Sequence, residues 1–87
     1  MPAISDPSLI ARRILEGKIG RLYISLEAIQ WGEVDHINGA VKKSKFQMNH
    51  LDEDILDDIA ELALRNGVEV RILRQSSFPG KFEIIAA

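Results

Sequence analysis

The sequence predicts one α/β domain over residues 1–87: a small mixed sheet with a parallel strand-helix-strand core, helices packed on it, and a β-hairpin inserted at about 31–48. Three observations carry this reading. Two segments, near 7–16 and 49–66, repeat apolar residues at helical spacing. Three short β-rich runs, at 21–26, 68–73 and 81–87, are bounded by glycine or turn-forming residues. A strand, a long helix and a second strand in succession favour parallel pairing of the first two runs through a right-handed crossover.

In the first helix Asp6 can cap free amides, Pro7 suits the opening position, and Leu9, Ile10, Ile14 and Leu15 form the apolar stripe until Gly17 stops it. Arg12, Arg13 and Glu16 fall on the solvated side. In the run at 21–26, Leu22, Ile24 and Leu26 share an inward face and Tyr23 looks the other way. The segment 27–31 is short enough to be one helical turn. Asn38-Gly39 then reads as a type I′ turn joining arms 31–37 and 40–48. Lys43 and Lys45 lie on one face of the second arm, with Lys42 beside them, and Glu33 and Asp35 on the first arm can pair across with the lysines. The second helix is capped by Asn49 or Asp52 and closed by Arg65 and Asn66-Gly67. It buries Leu51, Ile55, Ile59 and Leu62 and turns Glu53, Asp54, Asp57, Asp58 and Glu61 outward. The run at 68–73 points Val68, Val70 and Ile72 inward, and a loop containing Phe78-Pro79 leads to the last strand.

A domain of this size buries only about two-thirds of its unfolded surface, so a partner or a second copy of the chain adds most where stability is least. Apolar residues make up 46% and charged residues 28%, a globular composition. There is no cysteine, which rules out disulfides, thiolate nucleophiles and sulfur-ligated zinc and fits a cytoplasmic address. No apolar run approaches the roughly 18 residues of a membrane span, and the first residues lack the pattern of an export signal. With 11 basic and 13 acidic residues the net charge is −2, so any contact with nucleic acid must be local and weak.

Two local contact surfaces stand out. Lys42, Lys43 and Lys45, with Trp31, are the candidate RNA contacts; Tyr23 and Trp31 could stack on a base, but at strand and strand-edge positions such rings more often serve core or hairpin packing. The structural alternative for the lysines is charge pairing within the hairpin and protection of an edge strand. Glu53, Asp54, Asp57, Asp58 and Glu61 project from one helix instead of converging in a pocket, which points to a solvated or partner-facing surface and away from metal or acid/base chemistry. His36 and His50 lack a third ligand at fixed spacing, so no metal site is expected. Ser76 and Ser77 have no nucleophile-elbow context and read as loop-capping hydroxyls. Phe78 reads as an exposed apolar anchor for a partner, or as a cover for the open end of the sheet.

Taken in order, a helix ending at Gly17, the strand LYIS at 22–25, a long helix running into G-x-x-V from Gly67 to Val70, and Gly80 followed by IIAA resemble the third domain of the archaeal and eukaryotic type of class-1 peptide chain release factors and of Pelota. Bacterial relatives of those factors look similar. The resemblance covers nearly the whole chain through signatures of fold. It implies a cytoplasmic, ribosome-associated protein-interaction module that docks a partner such as a translational GTPase, with the acidic helix face and Phe78 as contacts. The Gly-Gly-Gln tripeptide by which the family acts on peptidyl-tRNA belongs to another domain and does not occur here, so neither catalysis nor a cofactor is expected. Some relatives bind zinc through cysteines in the hairpin, whereas this hairpin must be held by Asn38-Gly39 and by packing of Trp31 and Phe46. Relatives also continue past the final alanines, so the chain reads as a fragment of a longer protein or as a trimmed stand-alone domain. The kink-turn-binding ribosomal proteins are more distant in fold, and their Gly-Asn-Glu signature is missing.

Overall fold

The elements follow in the order α1 (Pro7–Leu15), β1 (Arg21–Ser25), β2 (Trp31–Val34), β3 (Val41–Lys43), β4 (Glu53–Asp54), α2 (Ile55–Arg65), β5 (Glu69–Leu73) and β6 (Ile84–Ala86). They are taken from a computed structural model that describes residues 3–43 and 53–87. Two sheets result. The larger has the order β5-β1-β6, with β1 and β5 parallel and β1 and β6 antiparallel. Alternation along these strands turns Leu22, Ile24, Ile84 and Ala86 to one face, where they share a core with Ile10 and Ile14 of α1 and with Ile55, Leu56, Ile59 and Leu62 of α2. Both helices therefore lie on the same side, and the parallel core with an inserted hairpin is present as the sequence predicts.

The first helix forms as its sequence suggests: the Asp6 carboxylate accepts the Ser8 amide at 3.1 Å, Pro7 opens the helix, and Gly17, at φ +73°, ends it. The second starts later than its pattern suggests. Its cap is Asp54, whose carboxylate accepts the Leu56 amide, while Glu53 and Asp54 themselves pair with β2 as a short strand. Asn49, Asp52 and Leu51 lie outside the described residues.

β2, β3 and β4 make a second, antiparallel sheet in the order β3-β2-β4. Its hairpin turn is not type I′, which needs positive φ at both centres. Only Gly39, at φ +76°, has it. A wider loop forms instead, because side chains supply its hydrogen bonds: the Asp35 carboxylate accepts the amides of Ile37 and Asn38, and the Asn38 side-chain carbonyl accepts that of Ala40. Asp35 is thereby used within the turn, and among the described residues it forms no ion pair with Lys42 or Lys43. Gly39 is buried against α1, where a β-carbon would come within 3.0 Å of the Arg12 backbone. The hairpin is thus seated on α1, and Gly32, whose hydrogen leaves room for Ile55, seats its other end on α2.

Two inward-pointing expectations fail. Leu26 is 65% exposed and Ile72 is 52% exposed. Leu26 lies just past the end of β1, and Ile72 lies on β5, the edge strand of the sheet, where no neighbouring strand flanks it among the described residues.

Candidate docking cleft at the carboxyl ends of β1 and β5

Parallel strands leave their following loops together at one end of a sheet, and that end is where α/β folds usually place recognition. Here the last rung of the ladder is the Leu26 amide on the Leu73 carbonyl at 2.7 Å. Beyond it side chains take over from backbone pairing. The Glu27 carboxylate accepts the Gln75 amide at 2.8 Å and the hydroxyl of the buried Ser25 at 3.4 Å, tying the loop after β1 to the loop after β5. The Gln75 amide is the main reason that the Glu27 carboxyl titrates below its usual range, against an opposing contribution from partial desolvation. The Gln75 side chain in turn donates to the Phe82 carbonyl at 2.6 Å.

Gln30 is the hub of this end. Its amide donates to the Asp54 carboxylate at 3.0 Å, its carbonyl accepts the Ile55 amide at 2.6 Å, and its side chain donates to Glu83 at 2.8 Å. One residue thus joins the loop after β1, the start of α2 and the approach to β6.

This scaffold holds out a cleft of about 360 Å³ lined by Leu26, Ala28, Ile29 and Ile72, with Asp54 and Asp57 on its rim. Ile29 is 60% exposed. Exposed aliphatic side chains gathered in one depression beside carboxylates are a surface suited to an apolar segment that carries positive charge. A second depression of about 340 Å³ lies beside Glu27, Gln75, Lys81 and Glu83, of which Glu27, Gln75 and Glu83 already take part in the hydrogen bonds just given.

The acidic residues singled out in the sequence divide on inspection. Asp54 is a helix cap, Glu61 pairs with Arg65 at 2.6 Å, and Asp58 faces His36, with 4.0 Å from its carboxylate to Nε2. Asp57 is exposed at the cleft rim, and Glu53 lies in β4. The residues therefore do not form one uniform face. Phe78 is only 8% exposed, so it is not the exposed anchor that the sequence suggests. The exposed aromatic of that loop is Phe82, at 49%. Leu26 and Ile72 continue the apolar alternation of their strands and Ile29 sits in the short segment 27–31, so nothing in the sequence signals that water reaches all three.

On the hairpin Lys42 and Lys43 are exposed and Trp31 is half-buried, while Lys45, His50 and Phe46 lie outside the described residues. Lys42 stands opposite Glu33 in the ladder, and as neighbours on a strand Lys42 and Lys43 point to opposite faces. His36 Nδ1 is buried with no hydrogen-bond partner among the described residues. Among those residues no three His, Asp or Glu side chains are grouped so as to hold a metal ion, and no helix is long and apolar enough to cross a membrane.

No protein-family model matches the chain, and no curated protein is significantly similar to it.

Proposed function

We propose that the domain is a non-catalytic docking module that receives an apolar, basic segment of a protein partner in the cleft at the carboxyl ends of β1 and β5. The observation that supports this reading most is the gathering of Leu26, Ile29 and Ile72 at the mouth of a braced cleft with Asp57 at its rim. Water contact at three such side chains is unfavourable and is relieved by a partner. The resemblance to release-factor and Pelota third domains adds the class of partner, a translational GTPase or the ribosome in the cytoplasm.

Binding of the purified chain to purified ribosomes and to a purified translational GTPase tests this. Leu26→Glu is expected to weaken capture at least roughly tenfold, as loss of a central apolar contact does. Capture of neither, or capture unmoved by Leu26→Glu and Ile29→Glu, would overturn it.

A second reading has one observation of its own, the exposure of Lys42 and Lys43 on β3. It is an RNA contact through these residues, with Lys45 and Trp31 as further candidates. RNA affinity falling steeply between low and moderate salt, and weakened by Lys43→Glu, would favour it. A flat salt response would remove it.

A further inference from the structure

The two edges of the larger sheet are treated differently. On β6 the outer edge is closed by the chain itself, through Ile4 and Ala86, which exchange amide-to-carbonyl bonds of 2.9 and 2.8 Å. Among the described residues β5 has no such neighbour. The Glu69 amide bonds to the Gly20 carbonyl and the Leu73 carbonyl accepts the Leu26 amide, so residues 69, 71 and 73 face β1. The backbone groups of Val70 and Ile72 therefore point outward, to an edge where Ile72 is half exposed.

We infer that this edge pairs antiparallel with β5 of a second copy of the chain, about a two-fold axis at Val70. Charge selects the register. An axis at Arg71 would set Arg71 against its own counterpart, and an axis at Ile72 would set Arg71 against Leu73. An axis at Val70 sets Glu69 opposite Arg71 on both sides of the seam, a favourable cross-strand pair made twice. Val70 then exchanges both backbone bonds with its counterpart. The Ile72 amide reaches the partner subunit's Val68 carbonyl, and Val68 needs nothing from the seam for its own amide, which is already bonded to Ala63 at 2.9 Å. Within each chain Arg21 and Arg71 reach the Glu69 carboxylate at 2.6 and 3.2 Å, so the acid already lies on the face where the incoming guanidinium arrives. Charges on an edge ordinarily discourage pairing. These discourage the other registers and permit this one. The atoms involved are those of the β5 edge, so the inference does not rest on the partner proposed for the cleft.

Sedimentation of the full chain over a range of concentrations tests it. The wild type is expected to dimerise reversibly, and Arg71→Glu and Glu69→Arg, each alone, to associate roughly tenfold more weakly. Mixed in equal amounts, the two variants restore opposite charges at both positions, and a heterodimer is expected. Because the chain has no cysteine, Val70→Cys supplies a single thiol that mild oxidation should join to its own counterpart, since paired residues at an axis of this kind lie about 5.5 Å apart at Cα. A wild type that stays monomeric at about millimolar concentration, a dimer indifferent to both charge reversals, or a mixture no better than its parts would overturn the inference. So would a folded Val70→Cys chain that fails to cross-link.

Discussion

The two ends of β1 are built by opposite means. At its amino end the chain closes on itself with backbone: the amides of Gly20 and Arg21 both reach the Ala87 carbonyl, at 3.0 and 3.1 Å, and the Glu69 amide reaches Gly20. The Arg21 guanidinium is held further toward its charged form by the Tyr23 hydroxyl and by Glu69, and Glu69 titrates below its usual range through its bond to Arg71, with Arg21 assisting. At the carboxyl end the ladder between β1 and β5 stops at Leu26 and Leu73, side chains of Glu27, Gln30 and Gln75 do most of the bracing, and aliphatic groups are left in water. A fixed end and an end braced largely by side chains suit different tasks. The first holds register, and the second can present a shaped surface without disturbing it.

Substitutions can break this contrast or sharpen it. Leu22→Ala, at a fully buried position of β1, is expected to cost about 2–5 kcal/mol in urea unfolding, enough to threaten a small domain. Asp54→Ala removes the cap of α2 and the acceptor of the Gln30 amide together. It should cost about 1–2 kcal/mol and speed hydrogen exchange at Gln30 and Leu56 while the amides of Arg21 and Leu22 stay protected. Uniformly faster exchange would mean that the two ends are one cooperative unit. Leu26→Glu should change stability by less than about 0.5 kcal/mol, since the side chain is already in water. A large loss there would show that Leu26 belongs to the core and would remove it from the docking surface.

The smallest effect is in acid. Glu27 and Glu69 titrate below the ordinary 4.5 when folded, so their contribution is complete above that pH and is lost as pH falls through the depressed folded values. Both carboxylates are solvent-exposed, so screening keeps the effect modest. Thermal midpoints followed from pH 6 to pH 3 should fall less steeply in Glu27→Gln and Glu69→Gln than in the wild type, and parallel curves would deny both carboxylates this role.

Much of the fold was legible because it rests on local chemistry. Asp6, Pro7 and Gly17 bound α1, and the stripe through Ile55, Ile59 and Leu62 places α2 on the sheet. The cleft was not legible, for reasons that are also physical. Asp54 is both the cap of α2 and a member of β4 paired with β2, a contact between distant segments that no helical pattern encodes. Asn38-Gly39 suggested the tightest turn, but Asp35 offered carboxylate bonds that a wider loop could use, and the Arg12 backbone left room there for a glycine alone. Phe78, in the loop after β5, and Leu26, just past β1, are both apolar, yet one is 8% and the other 65% exposed, a difference no periodicity encodes.

The seating of the hairpin against α1 and α2 also bears on how fast the chain can fold. Glu27 and Gln75 stand 48 positions apart, and β1 must find β5 across a comparable interval, a non-local closure of the kind that slows small domains. The β2–β3 hairpin is local and can form within microseconds. Once formed, it takes much of the intervening chain out of the random loop. Each halving of the free length lowers the entropic cost of closure by about 0.6 kcal/mol. Gly39 and Gly32, which let the hairpin lie flat against the helices, thereby help the two parallel strands to meet.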